Sequence, residues 1–373
     1  MSEQTSQHRF STSHDDQAHT PSSGNSSSSE AAGLPEALGS SIEGEVRFSP
    51  GARALYSTDS SNYRQVPIGL VVPKTIEDVV TTVALCRQYG VPIVSRGGGT
   101  SLAGQTCNAA VVIDFSKYLH HVRWLDADAR LAEVDAGCVL DTLRSEANQY
   151  DLTFGPDPAT HTHCTLGGMV GNNSCGIHAQ MAGRTADNIR SLEILTYDGH
   201  RFTVGETSED EYRSIVAAGG RRAEIYQTLH AIRERYAGLI RERYPDIPRR
   251  VSGYNLDQLL PEKGFNVARA LVGTEGTCGV VLSATCELVP WPRHRALLVI
   301  GYPSIYEAGD DIPVVTSFQP IGCEGIDGKL LSYYERKNML LRDLAKLPKG
   351  EGWLVVEFGG ASKEEAHHNA QRL

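Results

Sequence analysis

The chain has 373 residues, roughly two and a half times a typical ~150-residue domain, which excludes a single small module and leads us to expect two domains and a remainder. Lys and Arg total 35 against 45 Asp and Glu, a formal charge of -10, which argues against a nucleic-acid backbone or an anionic bilayer as the main partner and favours a small molecule or another protein. Gly contributes 37 residues, about a tenth of the chain against a usual ~7%, and the glycines gather in a few short loops without a repeat.

Eight cysteines (Cys86, Cys107, Cys138, Cys164, Cys175, Cys278, Cys286 and Cys323) are too sparse for a disulfide scaffold and form no C-x-x-C, so free thiols in a reducing compartment are expected. No window approaches the ~20 apolar residues that span a bilayer, and the N-terminus lacks the basic-then-apolar pattern of a secretory signal. These features lead to the expectation of a cytoplasmic protein, with peripheral attachment to the inner membrane through a partner left open.

Along the chain, residues 1–33 open with ten serines in the first thirty positions and almost nothing apolar. Such a stretch cannot bury enough surface to offset its ordering entropy and reads as a disordered tail. From Leu34 the pattern becomes globular. Val66 to Val72 reads as a strand, Thr75-x-x-Asp78 as a helix N-cap pair ahead of Ile76, Val79, Val80 and Val83 at helical spacing, Gly90 as the stop, and Val91 to Val94 as the next strand. This βαβ unit delivers the chain into Ser95-Arg96-Gly97-Gly98-Gly99-Thr100-Ser101-Leu102-Ala103-Gly104. Val111 to Asp114 and stretches near Val122 and Leu131 to Val134 follow as strands, then a helix over Leu140 to Ala147.

Residues 155–176 form a second Gly-rich segment. Leu192 to Leu195 and Arg201 to Val204 suggest a hairpin turning at Asp198-Gly199. A long amphipathic helix is predicted over Arg222 to Arg243 with Ile225, Leu229, Ile232 and Leu239 on one face. Val280 to Val289 reads as a strand closing the first domain, and Pro290 and Pro292 mark the boundary. Ala296 to Ile300, a helix over Gly328 to Asn338, Trp353 to Phe358 and a helical start at Ser362 describe an alternating second domain, which reads as unfinished because Leu373 falls inside a helical pattern.

The first Gly-rich loop fails as a dinucleotide fingerprint, since Leu102 stands at the third glycine and no helix follows. It nearly matches a triphosphate P-loop over Gly99 to Thr106, but Gln105 replaces the essential lysine. What fits is a strand-to-strand loop whose backbone N–H groups make a nest around a diphosphate, with Thr100 and Ser101 adding hydroxyls. The second segment runs from Gly155 to Gly176. A metal site through His161, His163 and Cys164 is disfavoured, because adjacent ligands on one short loop seldom close a tetrahedron. Small residues and amides suit an extended wall against a flat, hydrogen-bonding ligand. Gly273-Thr274-Glu275-Gly276-Thr277-Cys278-Gly279 supplies a third such turn, weak alone and stronger beside the other two.

Taken together, Arg96 to Ser101, Cys164-Thr165-Leu166-Gly167-Gly168 through Asn173 and Gly176, Leu192-Glu193-Ile194, and Gly273 to Thr277 resemble the FAD-binding domain of the p-cresol methylhydroxylase and vanillyl-alcohol oxidase type. The nearest branch is the FAD-linked D-2-hydroxy-acid dehydrogenases, and the spelling of residues 161–176 resembles its large iron-sulfur members. The resemblance covers residues 44–290 strongly and 296–373 as the start of a cap. It implies an α+β architecture, with a two-subdomain FAD-binding fold over 34–290 and the start of a ferredoxin-like cap domain over 291–373.

The resemblance further implies that Arg96, Gly97, Gly98, Gly99, Thr100, Ser101 and Gly104 hold the FAD pyrophosphate. Pro158, Thr165, Gly168, Asn172, Asn173 and Gly176 would line the isoalloxazine and ribityl side, Ile194 would serve the adenine half, and Glu275 with Gly276 would complete the pocket. Covalent members carry a histidine where this chain has Thr100, so noncovalent FAD is implied. The substrate would be a small 2-hydroxy acid of the D-lactate, glycolate or D-2-hydroxyglutarate class, oxidised by hydride transfer to FAD, with a quinone, cytochrome or electron-transfer protein as acceptor. The family's carboxylate-binding arginine, its metal-ligating side chains and its cluster cysteines lie toward the C-terminus and match nothing before Leu373, so no catalytic or metal residue is assigned. The alternative is an FAD-holding module without turnover of its own. An NADPH-using flavin enzyme of cell-wall synthesis on the same fold fits the spelling of residues 161–176 less well.

Overall fold

In the computed structural model, residues 32–339 and 341–373 are described; the serine-rich tail expected over 1–33 lies outside the described residues except for Ala32 and Gly33. The helix Ile76–Gln88 has a legible cause. Thr75 accepts a hydrogen bond from the Asp78 backbone N–H while the Asp78 carboxylate reaches back to Thr75 N, a complete capping box. The same carboxylate, almost buried, also accepts from Glu43 N at 2.9 Å and Lys74 N at 2.8 Å. Asp78 therefore anchors the chain at Glu43 and Lys74 as well as the helix that it caps.

Four strands form the first sheet: β1 (Glu45–Arg47), β2 (Gly69–Val72), β3 (Ile93–Arg96) and β4 (Val111–Asp114), in the order β1-β2-β4-β3. β2 and β3 both pair in parallel with β4, so the predicted βαβ unit crosses over with β4 inserted between its strands. β4 is buried throughout, as a strand covered on both faces must be. The second sheet is antiparallel, in the order β5-β6-β10-β8-β9, from β5 (Val122–Asp126), β6 (Leu131–Asp135), β8 (Ile189–Leu195), β9 (Arg201–Gly205) and β10 (Val280–Glu287). The short strands β7 (Leu152–Thr153) and β11 (Val289–Pro290) pair beside it. The predicted hairpin turns at Gly199, with φ of 93°.

The helix Ile76–Gln88 joins the two sheets. Cys86 packs with Val71 and Val111 of the first and with Val91 before β3, while Val79 and Val83 meet Leu195, Val280 and Leu282 of the second. The main core lies on the other side of the second sheet, where Leu140, Leu143, Phe154, Leu166, Met169, Leu192 and Tyr226 are buried together.

A third sheet, antiparallel and ordered β12-β14-β13, comprises β12 (His294–Tyr302), β13 (Gly322–Asp327) and β14 (Gly352–Gly360). Its core of Ala308, Val315, Leu354, Val356 and Phe358 is closed by the helices Ile305–Ser317 and Lys363–Arg372. No described helix is long and apolar enough to cross a membrane.

Two expectations are corrected. Residues 155–176 are not one extended wall, because Thr165 caps a helix over Leu166–Asn172 whose Leu166, Met169 and Val170 are buried. The helix Gly220–Arg243 buries Ala223, Tyr226, Arg233 and Ile240, and leaves the expected core residue Leu239 52% exposed. Phe265 explains the rotation: Tyr226 meets its ring edge-on at 6.2 Å and the Arg233 guanidinium lies 5.0 Å over it, so amphipathic side chains occupy the inner face.

Asp78→Ala will orphan several backbone N–H groups at once and lower the unfolding free energy by about 2–4 kcal/mol, measurable by urea denaturation. A loss no larger than a surface substitution would show that Asp78 does not hold this corner.

Candidate functional site

β3 ends at Arg96, and the chain then runs across the second Gly-rich segment at backbone contact distance. A Cβ placed on Gly97 would lie 2.0 Å from Thr165 Oγ1, and one on Gly98 would lie 2.2 Å from the His163 carbonyl oxygen. These two glycines are required by loop-on-loop packing. Gly99 and Gly104 have φ of 64° and 80°, the left-handed region in which a side chain is strained. The third loop is tied to the second by main-chain bonds from Gly273 N to Val170 O at 2.8 Å and from Glu275 N to Gly171 O at 2.9 Å.

Between the three loops lies a cavity of about 360 Å³, inside the range of roughly 300–1,000 Å³ for small-molecule pockets. Of the residues singled out from the sequence, Arg96, Gly97, Ser101, Thr165, Gly168, Asn172, Glu275 and Gly276 line it. Gly98, Gly99, Thr100, Gly104, Pro158, Asn173, Gly176 and Ile194 do not. Asn173 is a buried helix C-cap whose Oδ1 accepts from Ala186 N at 3.0 Å. A Cβ on Gly176 would meet the Asp157 carbonyl oxygen at 2.0 Å, and Ile194 pairs with Val281 within the second sheet. Gln105, Thr106, Asn108, Gly171, Thr274 and Thr277 line the cavity without having been singled out as ligands. Their positions inside or beside the Gly-rich runs were the available signal.

The wall is built for close approach. Gly171 and Gly276 have nothing nearer than 3.9 Å at their Cβ positions, so their backbones face open space. Arg96 and Glu275 are the charged side chains of the lining. The Arg96 guanidinium stacks 5.1 Å over the Tyr56 ring and donates from Nη2 to Thr58 O at 2.9 Å, whereas its Nη1 is buried without a partner. An unsatisfied buried donor costs of order 1–3 kcal/mol, and more on a charged group. Tyr56 in turn donates to Asp114 at 2.5 Å, and burial followed by that carboxylate pushes its phenol up to about 12. Tyr56 is therefore a neutral platform for the guanidinium. Gln105 Nε2 donates to Glu275 Oε1 at 3.1 Å, linking the first and third loops. Thr106 hydrogen-bonds Asp59, and burial is outweighed by hydrogen bonds from Ser61 and Thr106 that hold this carboxyl below its usual value.

The disfavoured metal trio is dispersed into other contacts. His161 Nδ1 lies 2.8 Å from Asp141, His163 pairs with Thr162 at 2.6 Å, and the buried Cys164 thiol is raised by desolvation. Among the described residues no group of three or more His, Cys, Asp or Glu is arranged to hold a metal ion.

Residues 67–205 match the family model of the FAD binding domain. D-2-hydroxyglutarate dehydrogenase of Pseudomonas putida is 29% identical over 355 residues, covering 91% of this chain and 35% of that protein. Glycolate oxidase subunit GlcD of Bacillus subtilis is 26% identical, covering 86% and 58%, and D-lactate dehydrogenase of Archaeoglobus fulgidus is 26% identical, covering 82% and 57%. The chain thus spans about a third of the length of the D-2-hydroxyglutarate dehydrogenases it matches. Among solved structures, an alkyldihydroxyacetonephosphate synthase superposes with a TM-score of 0.59 at 18% identity, covering 88% of this chain and 55% of that one, which establishes a shared fold. Over residues 67–205 the chain is similar to the FAD binding domain, and along most of its length it is similar to D-2-hydroxyglutarate and D-lactate dehydrogenases.

Proposed function

We propose that the cavity between the three Gly-rich loops holds FAD noncovalently, within a cofactor unit spanning residues 34–290, and that residues 291–373 begin the substrate unit. One observation carries this reading: Arg96, whose Nη1 lacks a hydrogen-bond partner, is a lining residue of a cavity bounded by glycine backbone, hydroxyls and amides of the three loops and by apolar strand residues such as Val94 and Val281. Arg96, Gly97 and Ser101 would meet the diphosphate, with Gly98, Gly99, Thr100 and Gly104 shaping the loop behind them. Thr165, Gly168 and Asn172 would face the ring and ribityl half, with Pro158, Asn173 and Gly176 bracing that segment. Ile194 would serve the adenine half through its strand, and Glu275 with Gly276 would close the far side. Thr100, in place of the histidine of covalent members, supports a noncovalent attachment.

Bound there, FAD would supply a two-electron acceptor for hydride from the carbinol carbon of a D-2-hydroxy acid, of the D-lactate, glycolate or D-2-hydroxyglutarate class, with electrons passing on to a quinone, cytochrome or electron-transfer protein. The residues of this chain bind and orient. Arg96 neutralises diphosphate charge, the glycines at Gly171 and Gly276 admit the ligand against the backbone, and Gln105 with Glu275 holds two walls at a set distance. The reading places the protein in the cytoplasm, where peripheral contact with a membrane-bound acceptor is compatible with it. A second reading is favoured by the share of its relatives that the chain spans: an FAD-holding module whose turnover requires further protein.

Purified full chain will be yellow or will take up added FAD, and Arg96→Met will weaken FAD binding about tenfold, ~1.4 kcal/mol, in a fluorescence-quenching titration. A chain that stays colourless and leaves FAD fluorescence unchanged refutes the cofactor assignment. Anaerobic addition of D-lactate or D-2-hydroxyglutarate will bleach the visible flavin band if the chain oxidises hydroxy acids. A flavin that binds and stays oxidised identifies the holding module instead.

A further inference from the structure

Beyond the cavity, a buried cluster of charged side chains lies where the third sheet meets the second Gly-rich segment. His178 has a side chain only 7% exposed, and both ring nitrogens face carboxylates: Nδ1 lies 2.5 Å from Asp157 Oδ2 and Nε2 lies 3.0 Å from Glu357 Oε2. Asp157 opens the segment that carries the cavity-lining residues Thr165, Gly168 and Asn172, and its Oδ1 also accepts from the His178 backbone N–H at 3.1 Å. Glu357 belongs to β14, and its second oxygen accepts from Arg295 of β12 at 3.0 Å. β13 closes on the same ring, since a Cβ on Gly322 would meet Ile177 Cγ1 at 3.2 Å and His178 Cδ2 at 3.5 Å. Trp291 completes the enclosure, edge-on to His178 at 4.9 Å, with the Arg295 guanidinium 4.7 Å over its ring and that of Arg144 at 5.7 Å.

We propose that His178 is a positioning residue whose imidazolium clasps the β12-β14-β13 sheet to the 157–178 segment, and through that segment to the cavity wall, and that loss of its proton in alkali releases the clasp.

Charge balance argues for the protonated ring. Asp157 and Glu357 carry two negative charges, and Arg295 with an imidazolium carries two positive ones. A neutral ring would leave a surplus carboxylate charge in a buried site, at a cost of several kcal/mol unless the site opens. The helix Ala179–Ala182 brings no charge to the ring, so the groups that set its titration are Asp157, Glu357, Arg295 and, across Trp291, Arg144. Burial alone would lower the histidine, but hydrogen bonds and attraction from Asp157 and Glu357 overcome it and raise the group to about 9. Glu357 is correspondingly lowered, chiefly by its bond to His178. Since the folded value lies above the ordinary histidine value, the contribution to stability is complete below about pH 6.5 and is lost as pH rises through about 9.

Trp291 is the built-in reporter. In full chain carrying Trp124→Phe and Trp353→Phe, which leave Trp291 as the one indole, tryptophan emission is expected to titrate with a midpoint near 9. Glu357→Gln should move that midpoint down by at least about one unit, a tenfold loss of proton affinity, and His178→Gln should abolish it. Above the midpoint, hydrogen exchange corrected for intrinsic rate should accelerate together in peptides 352–360 and 165–176. A wild-type midpoint at the ordinary histidine value, a transition that Glu357→Gln leaves in place, or faster exchange in only one of the two peptides would overturn the proposal. Should His178→Gln fail to fold, the Glu357→Gln shift and the paired exchange decide it.

Discussion

A pair of glycines crossing the second loop with no side chain of their own sets the geometry on which the rest of this site depends. Gly97 and Gly98 rest on Thr165 Oγ1 and on the His163 carbonyl so closely that any Cβ at either position would collide. Thr165 serves both sides of that crossing, filling the space under Gly97 and accepting from Gly168 N at 3.3 Å to start the helix Leu166–Asn172. Leu166, Met169 and Val170 then fasten this helix into the main core. The loop leaving the parallel sheet is thereby referenced to the core of the antiparallel one, and the cavity is the space left between two fixed walls.

The same economy extends to the third loop, which hangs on the second by main-chain bonds to Val170 and Gly171. All three glycine loops form one bonded unit, with the helix Ile76–Gln88 holding the two sheets beneath it at a fixed separation. Arg96 makes the electrostatic difference within that unit. Tyr56 and Thr58 position its guanidinium and leave one nitrogen unsatisfied. At the far end of the second segment, the His178 ion cluster connects the third sheet to the same wall.

Much of the architecture was legible from local chemistry. Thr75 and Asp78 announced a helix start, Asp198-Gly199 a hairpin, Leu140 to Ala147 a helix, and Ser362 another helix start, since each depends on neighbours a few residues away. The helix Ile305–Ser317 was missed because Gly309 and Pro313 lie inside it, and tertiary packing of Ala308 and Val315 overrides their penalties. The buried face of Gly220–Arg243 was misplaced because apolarity alone cannot foresee that Phe265, distant in sequence, draws Tyr226 and Arg233 inward. Within the site, the glycine runs pointed to the right loops, yet they did not separate Gly276, which faces open space, from Gly98, which is pressed against a carbonyl. Absence of a side chain looks the same in a sequence whether a ligand or another strand of the protein needs the room.

By itself the sequence determined the helices and strands with local start and stop signals, the concentration of glycine in three loops, and a net acidic charge, because all of these follow from residue type and short-range spacing. Only the tertiary structure decided that β4 separates the strands of the first crossover, that the three loops enclose one cavity with half of the singled-out residues on its wall, and that His178 is gripped by carboxylates 21 residues before it and 179 residues after it. Those outcomes depend on which distant surfaces meet, and the energies that decide it, close packing and the desolvation of charge, arise only once the chain has closed on itself.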